Sequence, residues 1–358
     1  MTRRSLYPWL SPICFFLCVS SLYGQGQSPV PAIPAGTNLN DPQVLLPLAT
    51  SANSLDVSGL TPWHLVASYE AFDTTGKPVD QGTYEEWRIS PVKSKRTYTG
   101  TLFNQTEYES AEGSFYETDA GAAPWPLSLI AKQFSHPMPD GDDTDGSEPE
   151  LHPFPVTKSV ELSCLMLTQP MKNTHWPLGL FPTYCFNVGS DMLRFELFDG
   201  SIEAVRNQMA TFHGAYLAKD IALSDDGKPL LRVHLVSLSS MSQSEVSALN
   251  AATNFAKIAA PKQVDLSTGV MTGNKIGGPN PIYPERAKQN HIQGKVVMRA
   301  RIGTDGRIHQ LRVVSTSDES LSIAALAAVE RWIYRPYTLK GKPVAVQTQI
   351  NVIFTLGG

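Results

Sequence analysis

Over residues 63–240 the chain alternates apolar and polar positions in short runs, and clusters of Gly, Asp, Asn or Pro end these runs. Tyr, Thr, Val and Phe, which fit a pleated and half-buried surface, recur within them. Short alternating runs separated by turn residues are typical of a large antiparallel sheet or an open barrel. The fold class that we expect is α+β, with an antiparallel β-rich domain shaped like an open half-barrel over 58–240.

Two stretches have helical spacing instead. Residues 126–134, PLSLIAKQF, predict one helix inside the β-rich domain. Residues 242–255 begin with the capping pattern Ser-x-x-Glu and predict a second helix. The following stretch 257–269, KIAAPKQVDLSTG, is typical of a hinge. We therefore assign 241–269 as a helix and linker.

The C-terminal residues 270–358 predict a separate small domain. A short helix is expected at 284–290, and a strand with apolar even-numbered positions follows at 294–302. Asp305-Gly306 favours a hairpin turn, and residues 321–332 carry one apolar stripe at helical spacing. The last predicted strand, 344–356, alternates strictly. One side of this strand carries Val344, Val346, Thr348, Ile350, Val352, Phe354 and Leu356. The other side carries Gln347, Gln349 and Asn351.

This unit carries several motifs in a fixed order: YP-x-x-A, G-x-V, I-x-x-D-G-x-I, A-x-x-A-V-x-x-W-x-Y-x-P, G-x-P-V and V-x-F. In this order of motifs it resembles the C-terminal domain of the TonB family, the periplasmic energy transducers. The resemblance covers about 85 residues. The matching residues are Tyr283, Pro284, Ala287, Gly294, Val296, Ile302, Asp305, Gly306, Ile308, Ala325, Ala328, Val329, Trp332, Tyr334, Pro336, Gly341, Pro343, Val344, Val352 and Phe354.

This resemblance implies a ββαβ domain that binds the TonB box of an outer-membrane transporter by strand addition along 344–356. The segment before Tyr283 would lie close to the box; well-known members have glutamine where this chain has Asn280. Alternatively, these are ordinary sheet residues, and the open edge pairs with a second copy to form a homodimer. The candidate partner-binding residues are Asn280, Tyr283, Val346, Gln347, Thr348, Gln349, Ile350, Asn351, Val352 and Phe354.

The N-terminal residues 1–26 predict an exported protein. Arg3 and Arg4 precede an apolar run at 6–19, and small or polar residues follow. This pattern is typical of a cleavable signal peptide and predicts export, which together with the TonB resemblance implies the periplasm. The alternative is a retained membrane anchor, although the run is shorter than the roughly 20 residues that span a bilayer. Residues 27–57 are rich in Pro, Ser, Asn and Gly and predict a flexible lead-in.

A full TonB protein has an uncleaved anchor and a long Pro/Lys-rich spacer, whereas here a β-rich domain stands in the place of the spacer. We therefore expect partner binding without proton-motive coupling of its own.

Cys164 and Cys185 remain after removal of the predicted signal. In an oxidising compartment two such cysteines usually form a disulfide, and the alternative is two buried free thiols. Neither cysteine is accompanied by CxxC or His-x₃-His spacing, so a metal site is not expected. The acidic stretch 139–150 lacks the full spacing of a calcium loop and predicts a solvated loop.

Charge is divided unevenly along the chain. Residues 270–358 contain 12 Lys and Arg against 5 Asp and Glu, a net of +7, whereas 25–269 contain 15 against 28, a net of −13. A basic end favours nucleic acid, anionic lipid or an acidic partner. Export and the lack of a basic stripe interleaved with aromatics argue against nucleic acid.

No catalytic motif is present in the sequence. It contains no G-x-S-x-G, H-E-x-x-H or P-loop pattern, and its eight histidines are scattered. Glu85 and Glu86 adjoin on a strand, so they point to opposite faces. We expect neither enzymatic activity nor a cofactor.

The middle domain also resembles, in pattern, the LolA-type open-barrel carriers of lipid or lipoprotein. This resemblance implies an alternative function, a soluble carrier of hydrophobic cargo that uses the C-terminal domain for docking. The sheet residues that would line its ligand site are Leu65, Tyr84, Trp87, Phe103 and Tyr108. The alternative is that these residues only form part of the hydrophobic core.

Overall fold

The computed structural model describes most of the chain after residue 31. The described residues are 32–56, 62–111, 113–120, 122–139, 144, 147–155, 161–170, 176–198, 200–258, 264–265, 274–339 and 342–356. The predicted signal peptide, 1–26, lies outside them.

A 12-stranded antiparallel sheet forms the β-rich domain, as the alternating pattern predicts. Its first five strands are β1 (Trp63–Phe72), β2 (Pro78–Ser90), β3 (Lys93–Gly100), β4 (Asn104–Ser110) and β5 (Gly113–Tyr116). The other seven are β6 (Glu148–Pro155), β7 (Glu161–Thr168), β8 (Thr183–Asn187), β9 (Leu193–Phe198), β10 (Ile202–Phe212), β11 (Ala215–Asp225) and β12 (Lys228–Ser240). The order across the sheet is β5-β4-β3-β2-β1-β12-β11-β10-β9-β8-β7-β6, so two meanders join where β1 pairs with β12.

Alternation along each strand separates two faces of this sheet. In β1, Trp63, Leu65 and Ala67 are buried, whereas His64 and Ser68 point to the other side. Helix α2 (Trp125–Ser135) covers the buried face and confirms the helix predicted at 126–134. Its buried apolar side chains include Leu127, Leu129, Ile130 and Phe134, which belong to the same core as the apolar side of β1. The apolar side of the sheet is therefore packed with helical side chains.

A buried polar network holds the end of α2 to the sheet. Arg206 donates from Nη2 to Oε1 of Glu196 at 2.8 Å and to the backbone oxygen of Gln133 at 2.9 Å. All three side chains are nearly fully buried. Because each buried charge has a partner, the desolvation cost of the pair is offset.

Part of the expected flexible lead-in is folded. Helix α1 (Pro42–Ala52) begins after Asp41, whose side chain accepts a hydrogen bond from the backbone N–H of Gln43. Leu45 and Ala49 are buried in one cluster with Tyr184 and Phe186 of β8. The composition of 27–57 therefore does not predict this helix, which is ordered because its apolar side packs on the sheet.

The linker contains helix α3 (Gln243–Asn250), a 3₁₀ turn (Thr253–Lys257) and the short strand β13 (Val264–Asp265). The predicted capping box is present, since Ser242 and Glu245 bond each other's backbone N–H groups. Within the expected hinge 257–269, the structure describes Lys257, Ile258 and β13.

The C-terminal domain has the expected ββαβ order. Its elements are β14 (Lys275–Gly277), α4 (Glu285–Gln289), β15 (Gly294–Ile302), β16 (Ile308–Ser315), α5 (Glu319–Val329), β17 (Ile333–Tyr334), β18 (Thr338–Leu339), β19 (Lys342–Pro343) and β20 (Val346–Phe354). The main sheet has the order β13-β20-β15-β16. Asp318 caps α5, and Leu321, Ala325, Ala328 and Val329 of the predicted stripe are buried. The expected α+β fold class is confirmed for both domains.

The two domains pack against each other. Met166, Trp176, Leu180 and Phe181 of the β-rich domain lie in the hydrophobic cluster of the C-terminal domain. Arg307 lies over the ring of Trp125 at 3.5 Å from its centroid and 3.7 Å from Asp225. Both apolar and charged contacts therefore join the domains.

Candidate partner-binding site

One long edge of β20 is open over most of its length. β15 pairs with β20 on one side along the whole strand, from Gly294 opposite Phe354 to Ile302 opposite Val346. On the other side, β13 pairs in parallel with Val346 and Gln347 only. Among the described residues, no strand pairs with the outer edge of β20 over 348–354. Within the described residues, the outward-facing backbone groups of 348–354 are therefore available for a further strand.

The side chains of β20 alternate as the sequence predicts. The inward residues belong to the hydrophobic face, and the outward residues are mostly amides. Val346, Thr348, Ile350, Val352 and Phe354 are buried, whereas Gln349, Asn351 and Ile353 are exposed and Gln347 is half-buried. This alternation fixes the register of the strand, since a shift by one residue would expose the apolar set.

The opposite edge of the sheet, formed by β16, is bonded at two backbone groups by a side chain of the β-rich domain. Gln169 donates from Nε2 to the backbone oxygen of Leu311 and accepts from the backbone N–H of Val313, both at 3.0 Å. Its amide thus replaces a neighbouring strand at this point. No periodic signal in the sequence indicates this role, and sequence reasoning missed both Gln169 and β13.

Tyr283 lies at the end of β20. Its ring meets that of Phe354 edge-on, with the centroids 5.4 Å apart. Its hydroxyl donates to the backbone oxygen of Ile292 at 2.5 Å. The structure therefore brings Tyr283 and the end of the strand together, as a positioning contact.

Asn280 is less closely tied to the strand. It is exposed, and its side chain makes no hydrogen bond within the described residues. The backbone of the preceding residue, Pro279, is fixed by a hydrogen bond, because Trp332 donates from Nε1 to its oxygen at 2.7 Å. A fixed backbone thus presents a solvent-facing amide at Asn280.

The five candidate lining residues of the β-rich domain do not share one site. Leu65 and Tyr84 are fully buried beside α2, and Phe103 packs against that core. Trp87 and Tyr108 instead flank Lys95 on the other face of the sheet, where its ammonium lies 4.5 Å and 5.9 Å from the two ring centroids. Leu65 and Tyr84 are therefore residues of the hydrophobic core, as the alternative interpretation predicts. The interpretation of all five as one ligand site is wrong.

That other face carries an open groove of about 890 Å³. Polar side chains dominate its lining, which includes Ser68, Glu70, Thr83, Asp220, Arg232 and His234. His234 and Asp220 lie 2.6 Å apart, and Arg232 and Glu70 lie 3.2 Å apart. These charges already pair with each other, and most of the surface that the groove exposes is apolar, so its lining combines paired charges with apolar surface.

The predicted disulfide is present. Cys164 and Cys185 lie directly opposite each other on β7 and β8 and are bonded, with their Cα atoms 3.9 Å apart. Both residues are buried. The bond links the two strands just before the segment that contacts the C-terminal domain.

In the described part of the chain, no group of three or more His, Cys, Asp or Glu is placed to hold a metal ion. Half of the acidic stretch 139–150 lies outside that part. None of the described helices is long and apolar enough to cross a bilayer.

Comparison with known proteins assigns the C-terminal domain. Residues 279–356 match the family model described as Gram-negative bacterial TonB protein C-terminal. A curated relative, protein TonB of Vibrio cholerae serotype O1, is 34% identical over 79 residues. This region is 22% of the chain and 32% of the relative, so the chain spans about a third of that protein's length. The matched family is a transport-associated domain family, not an enzyme family.

Solved structures resemble both parts of the chain. A LolA superfamily protein from Nitrosomonas europaea aligns with 56% of this chain and 93% of its own, at 8% identity and a TM-score of 0.40. The TonB C-terminal domain of Pseudomonas aeruginosa aligns with 26% of this chain and 95% of its own, at 24% identity and a TM-score of 0.23. These TM-scores are too low to support a conclusion about function. The family match, by contrast, is specific: residues 279–356 of this chain form a TonB C-terminal domain.

Proposed function

We propose that the C-terminal domain binds a segment of an outer-membrane transporter, or of another envelope protein, by strand addition along β20, in support of transmembrane transport. The observation that carries the proposal is the open backbone edge over 348–354 in a TonB C-terminal domain. The protein would act in the periplasm as an adaptor, without proton-motive coupling of its own. Its β-rich domain would hold a second partner or ligand.

Strand addition uses groups that the fold leaves available. Alternate residues of a strand direct their N–H and C=O groups to the same side, so an incoming strand would bond about every second residue of 348–354. Each such hydrogen bond contributes roughly 0.5–1.5 kcal/mol net. The incoming strand either begins at Thr348 or replaces β13 at Val346 and Gln347.

The two edges of the sheet differ in their access to a partner. The β16 edge is bonded by Gln169 of the same chain, whereas β20 has an intramolecular partner at its first two residues only. A partner strand therefore meets one open edge in the described sheet. Tyr283 holds the far end of β20 through Phe354, and Asn280, three residues earlier in the chain, is exposed and makes no side-chain hydrogen bond within the described residues.

The carrier alternative has less support than strand addition in the described residues. The apolar side of the large sheet is filled by α2, so hydrophobic cargo would first have to displace that helix. The groove on the other side is open and carries paired charges beside its apolar surface, so it does not enclose a ligand. A second copy of the chain could also pair with the edge of β20 and form a homodimer, and a titration distinguishes this from partner binding.

The test is a titration of the isotope-labelled full chain with peptides from the N-terminal segments of outer-membrane transporters of the same organism, followed by NMR. We expect shift changes concentrated over 348–354 and at Tyr283 and Asn280. Two peptides N-methylated at alternate backbone amides serve as matched controls. One set of methyl groups should abolish binding and the other should not, because only alternate amides face β20.

Shift changes that appear on raising protein concentration without peptide would instead indicate the homodimer. Binding that tolerates both N-methylated peptides equally, or that leaves 348–354 unshifted, would contradict strand addition.

A further inference from the structure

The outward face of the sheet in the C-terminal domain carries a group of cations. Lys295 and Arg299 of β15 and Arg312 of β16 are exposed, and Arg301 is half-buried. They point away from the buried side chains Val296, Met298, Ala300 and Ile302, which pack under α5. We call these four side chains the cationic face.

No carboxylate of the described residues neutralises the cationic face. None of its four members is in an ion pair within the described part of the chain. Their cross-strand neighbours on β20 are uncharged, since Arg301 lies opposite Gln347 and Arg299 opposite Gln349. By contrast, Arg307 and Arg331 of the same domain pair with Asp225 and Asp226 of the β-rich domain. Within the described residues, Arg307 and Arg331 are thus paired at the domain interface, whereas the four cations of the cationic face have no ion pair.

Two members of the cationic face repel each other. Arg299 and Arg312 are directly opposed in the antiparallel pair of β15 and β16. Like charges in this position destabilise a sheet. An external array of negative charge would remove the repulsion and gain attraction from both guanidinium groups.

The shape and composition of the face favour a flat anionic surface as its occupant. From Lys295 to Arg301 the cations extend over six residue steps, or roughly 20 Å of strand. Ile353 is 67% exposed and lies opposite Lys295, so an apolar side chain adjoins the charges. Cations beside an exposed apolar residue match the interface of an anionic bilayer, where headgroup phosphates meet acyl chains.

We propose that the cationic face docks on an anionic phospholipid surface, with Ile353 entering the headgroup region. The edge of β20 lies at right angles to this face, so a docked domain would keep the edge accessible in the plane of the membrane. This docking does not depend on strand addition, and either can fail without the other.

The test is co-sedimentation of the full chain with vesicles of phosphatidylglycerol and phosphatidylethanolamine, and with phosphatidylcholine vesicles as the neutral control. We expect binding to the anionic vesicles at about 0.05 M salt and its loss at about 0.5 M, because salt screens exposed charges. The double variant Arg299→Gln/Arg312→Gln should weaken binding roughly 20-fold, since each cation near an anionic surface contributes about a fivefold change.

The matched control is Arg286→Gln/Lys288→Gln, which removes the same charge from exposed positions on α4. It should change binding by less than about threefold, a loss that reflects net charge alone. The variant Ile353→Gln leaves charge unchanged and should weaken binding several-fold. All these positions are exposed, so the fold should be retained.

Three results would overturn the proposal. They are no sedimentation with anionic vesicles at low salt, equal losses for the two double variants, and displacement from the vesicles by soluble polyglutamate at equal charge concentration. The last result would assign the face to an acidic polypeptide.

Discussion

Gln169 of the β-rich domain and Val313 of β16 are joined by a hydrogen bond from the Val313 backbone N–H to Oε1 of Gln169, at 3.0 Å. The same amide bonds the oxygen of Leu311. One side chain thus closes the β16 edge at two backbone groups, and β20 presents the open edge of the described sheet. The attachment of the C-terminal domain to the β-rich domain therefore occupies backbone groups in the middle of the β16 edge.

Replacing Gln169 by Ala should expose the β16 edge. Two hydrogen bonds are lost, and we expect the free energy of unfolding to fall by about 1–2 kcal/mol. Hydrogen exchange at the Val313 amide should accelerate. The control Gln349→Ala removes an exposed amide from β20 and should leave Val313 unchanged. Unaltered exchange at Val313 in Gln169→Ala would show that the bond does not protect this edge.

The disulfide should stabilise the β-rich domain. Cys164 and Cys185 are separated by 21 residues, and closing a loop of this length contributes about 3 kcal/mol in the chain-entropy model. Urea unfolding of the oxidised protein and of Cys164→Ala/Cys185→Ala should differ by about that amount. The reduced wild-type protein, which keeps both side chains, is the control and should resemble the double variant. Equal midpoints for the oxidised and reduced proteins would refute this role.

The two interdomain arginines should differ in importance. Arg331 and Asp226 lie 2.8 Å apart, but the Asp226 side chain is 70% exposed, and exposed pairs contribute less than about 1 kcal/mol. Arg307 is more buried and also stacks on Trp125. We therefore expect Arg307→Ala to lower the free energy of unfolding by about 1–2 kcal/mol and Arg331→Ala by less than half of that. Equal effects in urea titrations would indicate that the contact with Trp125 contributes nothing.

Asp56 should make stability depend on pH. Burial raises the pKa of its carboxyl from 3.8 to about 6, although the attraction of Arg88 lowers it in part. The folded state therefore takes up a proton that the unfolded state does not, between about pH 6 and pH 4. Acidification through this window should stabilise the wild type relative to Asp56→Asn, by up to about 3 kcal/mol. A stability difference that moves the other way on acidification would mean that Arg88 dominates.

Local features of the fold were predictable because nearby residues determine them. Alternation in β20 and the apolar stripe of α5 reflect which side faces a core. The capping box at Ser242 needs only a residue three positions away. Asp41-Pro42 is a helix start of the same kind, with a capping side chain before a proline, and it could have revealed α1 despite its polar surroundings.

Long-range pairing was not predictable in the same way. β1 and β12 are neighbours although most of the β-rich domain separates them in sequence. No local pattern specifies such a pair, since it depends on how the two meanders close around the α2 core. The sequence does indicate that Trp87 and Tyr84 lie on opposite faces of the sheet, because odd and even positions of one strand point to opposite sides. The contacts of Gln169 depend on the docking of two domains.

The central claim is strand addition at β20, and amide hydrogen exchange of the full chain with and without a transporter-derived peptide tests it most directly. In the free protein, alternate amides over 348–354 should exchange slowly through their bonds to β15, and the others should exchange quickly. Addition of the peptide should protect the fast set and leave amides of β16 unchanged. Peptide binding that protects no amide of 348–354 would contradict the claim.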